Sequence, residues 1–291
     1  MAQAAKKKLV VCGGNGFLGS RICKAAAHRG WQVTSISRSG NPNWASITSS
    51  PSPPSWSRSV SWQKGDILNP STYISHLENA DAVIHSMGIL LEADYKGVVS
   101  GKESPWSGLQ RAFSAAKAGT QNPLDRKEGE TLKPQEKDGQ LTYEVMNRDS
   151  AISLAKESSL KSVPTFLYIS AAAGTPVLPS RYISTKREAE SVISTTFPKM
   201  RSIFIRAPIM YDSSRSFTMP IAALGGVASM VNGMTGGRLT WLMGAGGIKP
   251  LKADLVGEAV VEALEDEAVR GPVEVKEIET LGMRAWRKNM L

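Results

Sequence analysis

Tyr182 and Lys186 stand four residues apart, a spacing that puts both side chains on one face of a helix. An ammonium beside a phenol stabilises the phenolate and lowers its pKa. Such a pair can exchange a proton with a carbonyl or alcohol oxygen. Ser170 ends an apolar run upstream, and its hydroxyl is placed to hold that oxygen. The spacing is common by chance. It gains meaning here because a strand-ending serine precedes it and a helix begins around it.

A second constellation lies near the start of the chain. The run Val10–Cys12 leads into Gly13, Gly16 and Gly19, spaced G-x-x-G-x-x-G, with Asn15, Phe17 and Leu18 between them. A strand, a glycine loop and a helix in this order aim backbone N–H groups and a helix dipole at an anion. Gly13 serves the turn, Gly16 the approach of backbone to a pyrophosphate, and Gly19 the packing of helix on strand. The context makes this a dinucleotide-binding signal.

Cofactor choice is read at the tip of the second strand, Ser35–Ser39. An acid there would accept bonds from ribose hydroxyls, whereas a 2′-phosphate needs a cation. The chain has no Asp or Glu before Asp66 and places Arg38 at this tip. A guanidinium grips phosphate through two N–H groups and stacks on adenine. Ser37 and Ser39 add hydroxyls. NADP(H) is therefore expected over NAD(H), the plain alternative being a solvated loop arginine. Asp66, followed by Ile67 after the third strand, is within reach of an adenine amino group.

The elements that must position these groups alternate along the chain. Strands are expected at Lys8–Cys12, Gln32–Ser37, Val60–Lys64, Ala82–Ser86, Thr165–Ser170 and Ser202–Arg206. Helices are expected at Phe17–Arg29, Glu144–Ser158, Thr185–Ser194 and Asp254–Glu265. This is the pattern of an α/β, Rossmann-like doubly wound parallel sheet. Residues 1–210 are read as the dinucleotide-binding domain. Residues 211–291 are read as a smaller C-terminal portion facing substrate or membrane, interleaved with the first. Asn41–Ser61, rich in Ser and Pro, reads as mostly surface loop. Tyr95–Gln140 reads as a polar insertion with a short helix near Leu109–Ala118. Ser216–Gly237 is uncharged but holds Pro220, Asn232 and several glycines, so it reads as a pocket wall or an apolar ligand surface, not a membrane span.

The chain has 291 residues and a net charge of +9, with 41% hydrophobic residues. The charge is uneven: nine cations precede the first acid, Asp66, and the rest of the chain carries 26 of each sign. A basic N-terminal portion suits an anionic cofactor or membrane. The aromatic-rich motifs of nucleic-acid binders are absent, which argues against such a partner. Cys12 and Cys23 are expected to be buried free thiols. His28, His76 and His85 lack metal-ligand spacing, so no metal is expected. No cleavable leader is evident at the N-terminus. Met283–Lys288 mixes Trp286 with three cations and reads either as a contact for anionic lipid or as a frayed basic tail.

With these residues in view, the chain resembles the short-chain dehydrogenase/reductases, in their extended or atypical branch. The resemblance rests on the glycine loop, Gly65-Asp66-Ile67, Ala80–His85, Asn147, Ser170, Tyr182/Lys186 and Ile205–Pro208. It implies a catalytic tetrad of Asn147, Ser170, Tyr182 and Lys186, with Lys186 also on the nicotinamide ribose and Pro208–Ile209 at the carboxamide. Ser86-Met87-Gly88 stands where relatives have a small Ala-rich turn, which would put Met87 near the nicotinamide. Within the branch, Cys12–Gly19, Ala80–Glu92 and Ile205–Tyr211 resemble an atypical mitochondrial group. That group includes the nucleotide-binding accessory subunit of respiratory complex I and fungal proteins of coenzyme Q (ubiquinone) biosynthesis, the latter being nearer. The resemblance implies the matrix face of the inner membrane and partners in a coenzyme Q biosynthesis assembly. Two functions follow: an NADP-dependent oxidoreductase on a quinone-like or prenylated substrate, or a non-catalytic NADPH-binding subunit. A nucleotide-sugar epimerase is a third and weaker reading.

Overall fold

The computed structural model describes residues 6–48, 50–88, 123–125, 127, 129–132, 141–172, 180–212, 248–288 and 290. The first half alternates strictly: β1 (Lys8–Cys12), α1 (Phe17–His28), β2 (Gln32–Ser37), α2 (Trp44–Ile47), β3 (Val60–Lys64) and β4 (Ala82–His85). A π-helical turn, Glu144–Asp149, then leads into α3 (Ser150–Leu160), β5 (Thr165–Ala171), α4 (Arg181–Thr196) and β6 (Arg201–Ala207). Two short strands, β7 (Met210–Tyr211) and β8 (Leu251–Lys252), pair in parallel beside the main sheet. The chain continues through α5 (Ala253–Glu265), β9 (Gly271–Val273) and α6 (Val275–Lys288).

Among the described residues the main sheet has seven strands, all parallel, in the order β3-β2-β1-β4-β5-β6-β9. The central strands are apolar on both faces because helices cover both faces. Every residue of β4 and β5 is buried. On one side Leu18, Ile22 and Ala26 of α1 meet Val256, Ala259 and Val260 of α5, with Ile278 and Leu281 of α6 behind them. On the other side Ile152 and Ala155 of α3 meet Ala189 and Ile193 of α4 over Val10, Val83 and Phe166. The order reverses between β1 and β4, and the C-terminal strand ends there form the crevice in which such sheets take ligands.

Two expectations change. Asn41–Ser61 is not simply a surface loop. Trp44 stands edge-on to Trp56 and Trp62 with ring centroids 5.6 Å away in each case, and the Trp62 indole N–H donates to the Ser57 carbonyl at 3.0 Å. Composition hides this small core because Ser and Pro outnumber the rings that hold it. Within the polar insertion Leu132 is buried, and its N–H donates to the Leu68 carbonyl at 2.7 Å. The C-terminal third contributes β9 to the main sheet and packs α5 on α1, with α6 on α5. The helix expected at Leu109–Ala118 and the stretch Ser216–Gly237 lie outside the described residues.

Helix α1 approaches the glycine loop closely. A Cβ on Gly19 would stand 2.1 Å from the Gly13 carbonyl oxygen and 2.8 Å from Ser86 Oγ. The first of these is backbone and cannot turn aside. Gly19→Ala is expected to lower the unfolding free energy by about 1–3 kcal/mol, measured by denaturant titration, because the helix must lift off the loop.

Candidate functional site

Gly13 turns β1 into α1 with φ of +90°, which a side chain would strain. Its N–H donates to Ile36 O at 2.8 Å and its carbonyl accepts from Gly16 N at 2.9 Å. Gly16 starts α1 with no side-chain cap, and the first turn holds no acid. The helix dipole is therefore left unopposed at the crevice. Sequence reasoning missed Gly14, where a Cβ would stand 2.3 Å from Ser35 Oγ. Its signal was the doubled glycine itself.

Around the loop the expected cofactor residues divide. Asn15 Nδ2 donates to Ser39 Oγ at 2.6 Å, joining the loop to the tip of β2. Arg38 is exposed beside it. Ser37, by contrast, donates to Gly40 O at 3.1 Å and closes its own turn. Asp66 Oδ1 accepts the Leu68 N–H at 3.0 Å, so that carboxylate oxygen is occupied locally. Phe17 lies under the Arg21 guanidinium at 4.6 Å, and the side chains of Leu18 and Ile67 belong to the core. Ile209 O accepts from Leu251 N at 3.1 Å, tying the Pro208–Ile209 segment to β8.

A continuous path leads from the loop to the expected catalytic groups. Ser86 Oγ donates to Cys12 O at 3.0 Å. Met87 lies against Gly13, where a Cβ would meet Met87 Cγ at 2.7 Å. Met87 is thus placed at the glycine turn. Next to it Gly88 exposes bare backbone: a Cβ there would be 3.0 Å from Asn147 Oδ1 and 3.6 Å from Lys186 Nζ. The path has groups suited to both ends of a dinucleotide: amides and a helix dipole at one end, an amide oxygen and an amine at the other.

Lys186 is buried, and its Nζ donates to Ile169 O at 3.1 Å and Tyr168 Oη at 3.4 Å. The Tyr168 hydroxyl in turn donates to the Asn147 carbonyl at 2.5 Å. Asn147 sits in the π-helical turn, a distortion that often marks functional positions because it re-aims a carbonyl. Tyr182, on the first turn of α4, packs its ring edge-on against Tyr143 at 5.8 Å. Arg181 anchors that turn through paired bonds to Glu144 at 2.9 and 2.5 Å. Lys186 Nζ lies 5.8 Å from the Tyr182 ring centroid. Asn147, Tyr182 and Lys186 are therefore brought together, with Tyr168 as a member that sequence reasoning missed.

Their electrostatics differ from expectation. Burial pushes the Lys186 amine down to about 7, against an upward pull from Glu190 and a further downward push from Arg187. Burial pushes the Tyr182 phenol up to about 12, so its acidity is not raised here. The amine is engaged with a backbone carbonyl, and desolvation outweighs its field at the phenol.

Ser170 is not brought to the pair. Its hydroxyl donates to Glu190 Oε1 at 2.5 Å and accepts from Arg187 at 3.0 Å. Glu190 also holds Arg206, at 2.5 Å through Oε2. This buried ion cluster, one helical turn beyond Lys186, takes the serine that was expected to orient substrate. Glu190 had a sequence signal in its i+4 spacing from Lys186. Among the described residues no three His, Cys, Asp or Glu side chains gather as a metal site.

The buried amine gives a stability test. Its folded pKa lies below the ordinary lysine value, so between about pH 7 and 10.5 the unfolded chain binds the extra proton and stability rises with pH. The unfolding free energy of the wild type, minus that of Lys186→Met, is expected to grow by about 1.4 kcal/mol per pH unit across that window. Denaturant titrations at several pH values check this.

Comparison with known proteins adds to this geometry. Residues 9–94 match the NAD dependent epimerase/dehydratase family. MIOREX complex component 2 of Saccharomyces cerevisiae is 38% identical over 226 residues, covering 73% of this chain and 76% of the yeast protein. An uncharacterized chloroplastic protein of Arabidopsis thaliana is 40% identical over 88 residues, 30% of this chain and 27% of its own. Among solved structures, a UDP-glucuronic acid 4-epimerase from Bacillus cereus in complex with NAD superposes with a TM-score of 0.54 at 16% identity, covering 92% of this chain and 76% of the epimerase. WbmH of Bordetella bronchiseptica in complex with NAD+ has a TM-score of 0.54 at 13% identity, with coverages of 93% and 76%. Likenesses this remote speak to the fold alone.

Proposed function

Because the chain belongs to the atypical, extended short-chain dehydrogenase/reductases, in the family of the yeast MIOREX complex component 2, we propose that it is an NADP(H)-dependent oxidoreductase of mitochondrial coenzyme Q (ubiquinone) biosynthesis. Its substrate is a quinone-like or prenylated carbonyl or alcohol, met at the matrix face of the inner membrane within a biosynthetic assembly. The observation that carries the reading is the convergence of Gly88, Asn147 Oδ1 and Lys186 Nζ on one path from the glycine loop. The coenzyme Q setting is supported by the sequence resemblance to the fungal proteins. The NADP(H) preference is supported by an exposed Arg38 at the tip of β2 and by the lack of any acid before Asp66.

Gly13–Gly19 would hold the pyrophosphate, Arg38 the 2′-phosphate, and Asn147 with Lys186 the nicotinamide ribose. When bound, the cofactor supplies or accepts a hydride. Tyr182 handles the proton. A phenol held at about 12 stays protonated at neutral pH, so it donates to a carbonyl oxygen more readily than it accepts from an alcohol. Reduction is the direction this arrangement favours. Lys186, held near 7, would supply compensating charge: as the phenol gives its proton to the substrate oxygen, the amine takes one from solvent and then returns it to the phenolate.

A second reading is favoured by Ser170. Its hydroxyl is occupied by Glu190, which leaves substrate oxygen without that partner. In this reading the chain binds NADPH as a structural or sensing subunit and does not turn over.

Nucleotide released on denaturation is identified by mass spectrometry, with NADPH and NADH titrations beside it. NADPH is expected to bind more tightly, and Arg38→Ala to weaken it about tenfold or more with little effect on NADH. A preference for NADH would overturn the Arg38 argument. For turnover, Tyr182→Phe is expected to lower quinone reduction about a hundredfold or more while leaving NADPH affinity intact. If cellular ubiquinone survives Tyr182→Phe but not Gly16→Val, the non-catalytic reading holds.

A further inference from the structure

Helix α6 carries apolar side chains on two faces. Ile278, Leu281 and Ala285 are buried in the core. On the outer side Met283, Trp286 and, just past the helix, Met290 are 46%, 58% and 67% exposed. Met283 and Trp286, three apart on the helix, make one stripe, and Met290 follows beyond the helix end. Of the four large apolar side chains exposed among the described residues, three are in this stripe or just past it.

The cations of α6 also sort by face. Arg284 and Lys288 turn toward the end of α5, where Arg284 meets Asp266 at 2.7 Å and Lys288 meets Glu262 at 2.7 Å. Lys276 and Arg287 share the outer face with Met283. Neither is in an ion pair with a described residue. Glu279, also toward that face, is paired with Lys249. The stripe is therefore apolar with an uncompensated positive rim. The end of α5 also borders a cavity of about 330 Å³, whose walls include Lys7, Lys199 and Arg270 beside Asp81 and Glu267.

We propose that the outer face of α6 docks this protein on an anionic phospholipid bilayer. Trp and Met enter the headgroup boundary, and Lys276 and Arg287 meet lipid phosphates. A tryptophan with an apolar body and one N–H suits that boundary. An amphipathic helix lying in the interface with basic residues on its rim is the matching geometry. A second copy of the chain is the poorer occupant. Two chains of +9 repel, and three side chains fall well short of the roughly 800 Å² per partner that a stable interface buries. Among the described residues no helix is long and apolar enough to cross a membrane. The surface lies outside the Tyr182–Lys186 pair and stands whether or not that pair turns over.

The test is vesicle flotation of the full chain with pure phosphatidylcholine and with equal parts phosphatidylcholine and phosphatidylglycerol. Binding is expected to the mixed vesicles only, and to weaken as salt is raised. Replacing Met283 and Trp286 together by Ser is expected to weaken it about tenfold or more. Arg287→Gln is expected to weaken it about fivefold. All three positions are exposed, so unchanged thermal unfolding confirms that the fold is kept. Three results would overturn the proposal: no binding to the mixed vesicles, undiminished binding by the double variant, or a dimer in sedimentation that the double variant dissolves.

Discussion

A side chain on Gly19 would have to occupy the space held by the Gly13 carbonyl oxygen, 2.1 Å from its Cβ. Because that side chain is missing, α1 settles directly on the turn that leaves β1. The first turn of the helix then points into the crevice between β1 and β4, where strand order reverses. Much else depends on this approach. Ser86 can reach Cys12 O only because nothing fills the gap beneath α1. That bond sets the course of the chain past Met87 to Gly88, and Gly88 delivers bare backbone to Asn147 and Lys186. From its other side α1 is pressed down by α5, through Ile22 and Val260 among others. The C-terminal third thus helps build the loop geometry from a distance.

The far end of the path is governed by a different constraint, the desolvation of Lys186. Glu190 sits one turn away and pulls the amine's pKa upward, yet burial wins. The carboxylate already answers Arg206, Arg187 and the Ser170 hydroxyl, so little of its charge is left unbalanced toward the lysine. The lysine finds a backbone carbonyl and a phenol as its partners, and Tyr182 remains a protonated acid. A site built this way responds to what enters it. A phosphate-bearing or positively charged ligand would reset both groups, because each lies in low dielectric where a nearby charge acts strongly.

Local features could be read directly from the chain. The spacing of Gly13, Gly16 and Gly19 reports backbone needs met within one turn and one helix. The strand runs around Val10, Val83 and Phe166 report burial on both faces. Helix α4 is legible over Thr185–Ser194, although it starts four residues earlier at Arg181, and the pairing of Tyr182 with Lys186 follows from helical periodicity once that first turn is included. Long-range competition was not legible. Ser170 ends a strand beside the crevice, which in sequence points to a substrate group, but its hydroxyl partner is chosen by where Arg187 and Glu190 project from α4. Trp44 and Trp56 in the Ser/Pro-rich segment give no periodic signal, and the edge-to-face contacts of Trp44 with Trp56 and with Trp62 of β3 exist only after the segment has folded back.

The sequence by itself determined the fold class, the phosphate-type loop and the tyrosine–lysine pair, since each depends on residues a few positions apart and on backbone geometry common to all helices and strands. The tertiary structure alone decided which partners hold the Ser170 hydroxyl, in which direction each pKa moves, and which face of α6 is left in water. Those outcomes are differences between competing partners and between buried and solvated surroundings. They are set by elements that are distant in the chain and adjacent only in the folded molecule.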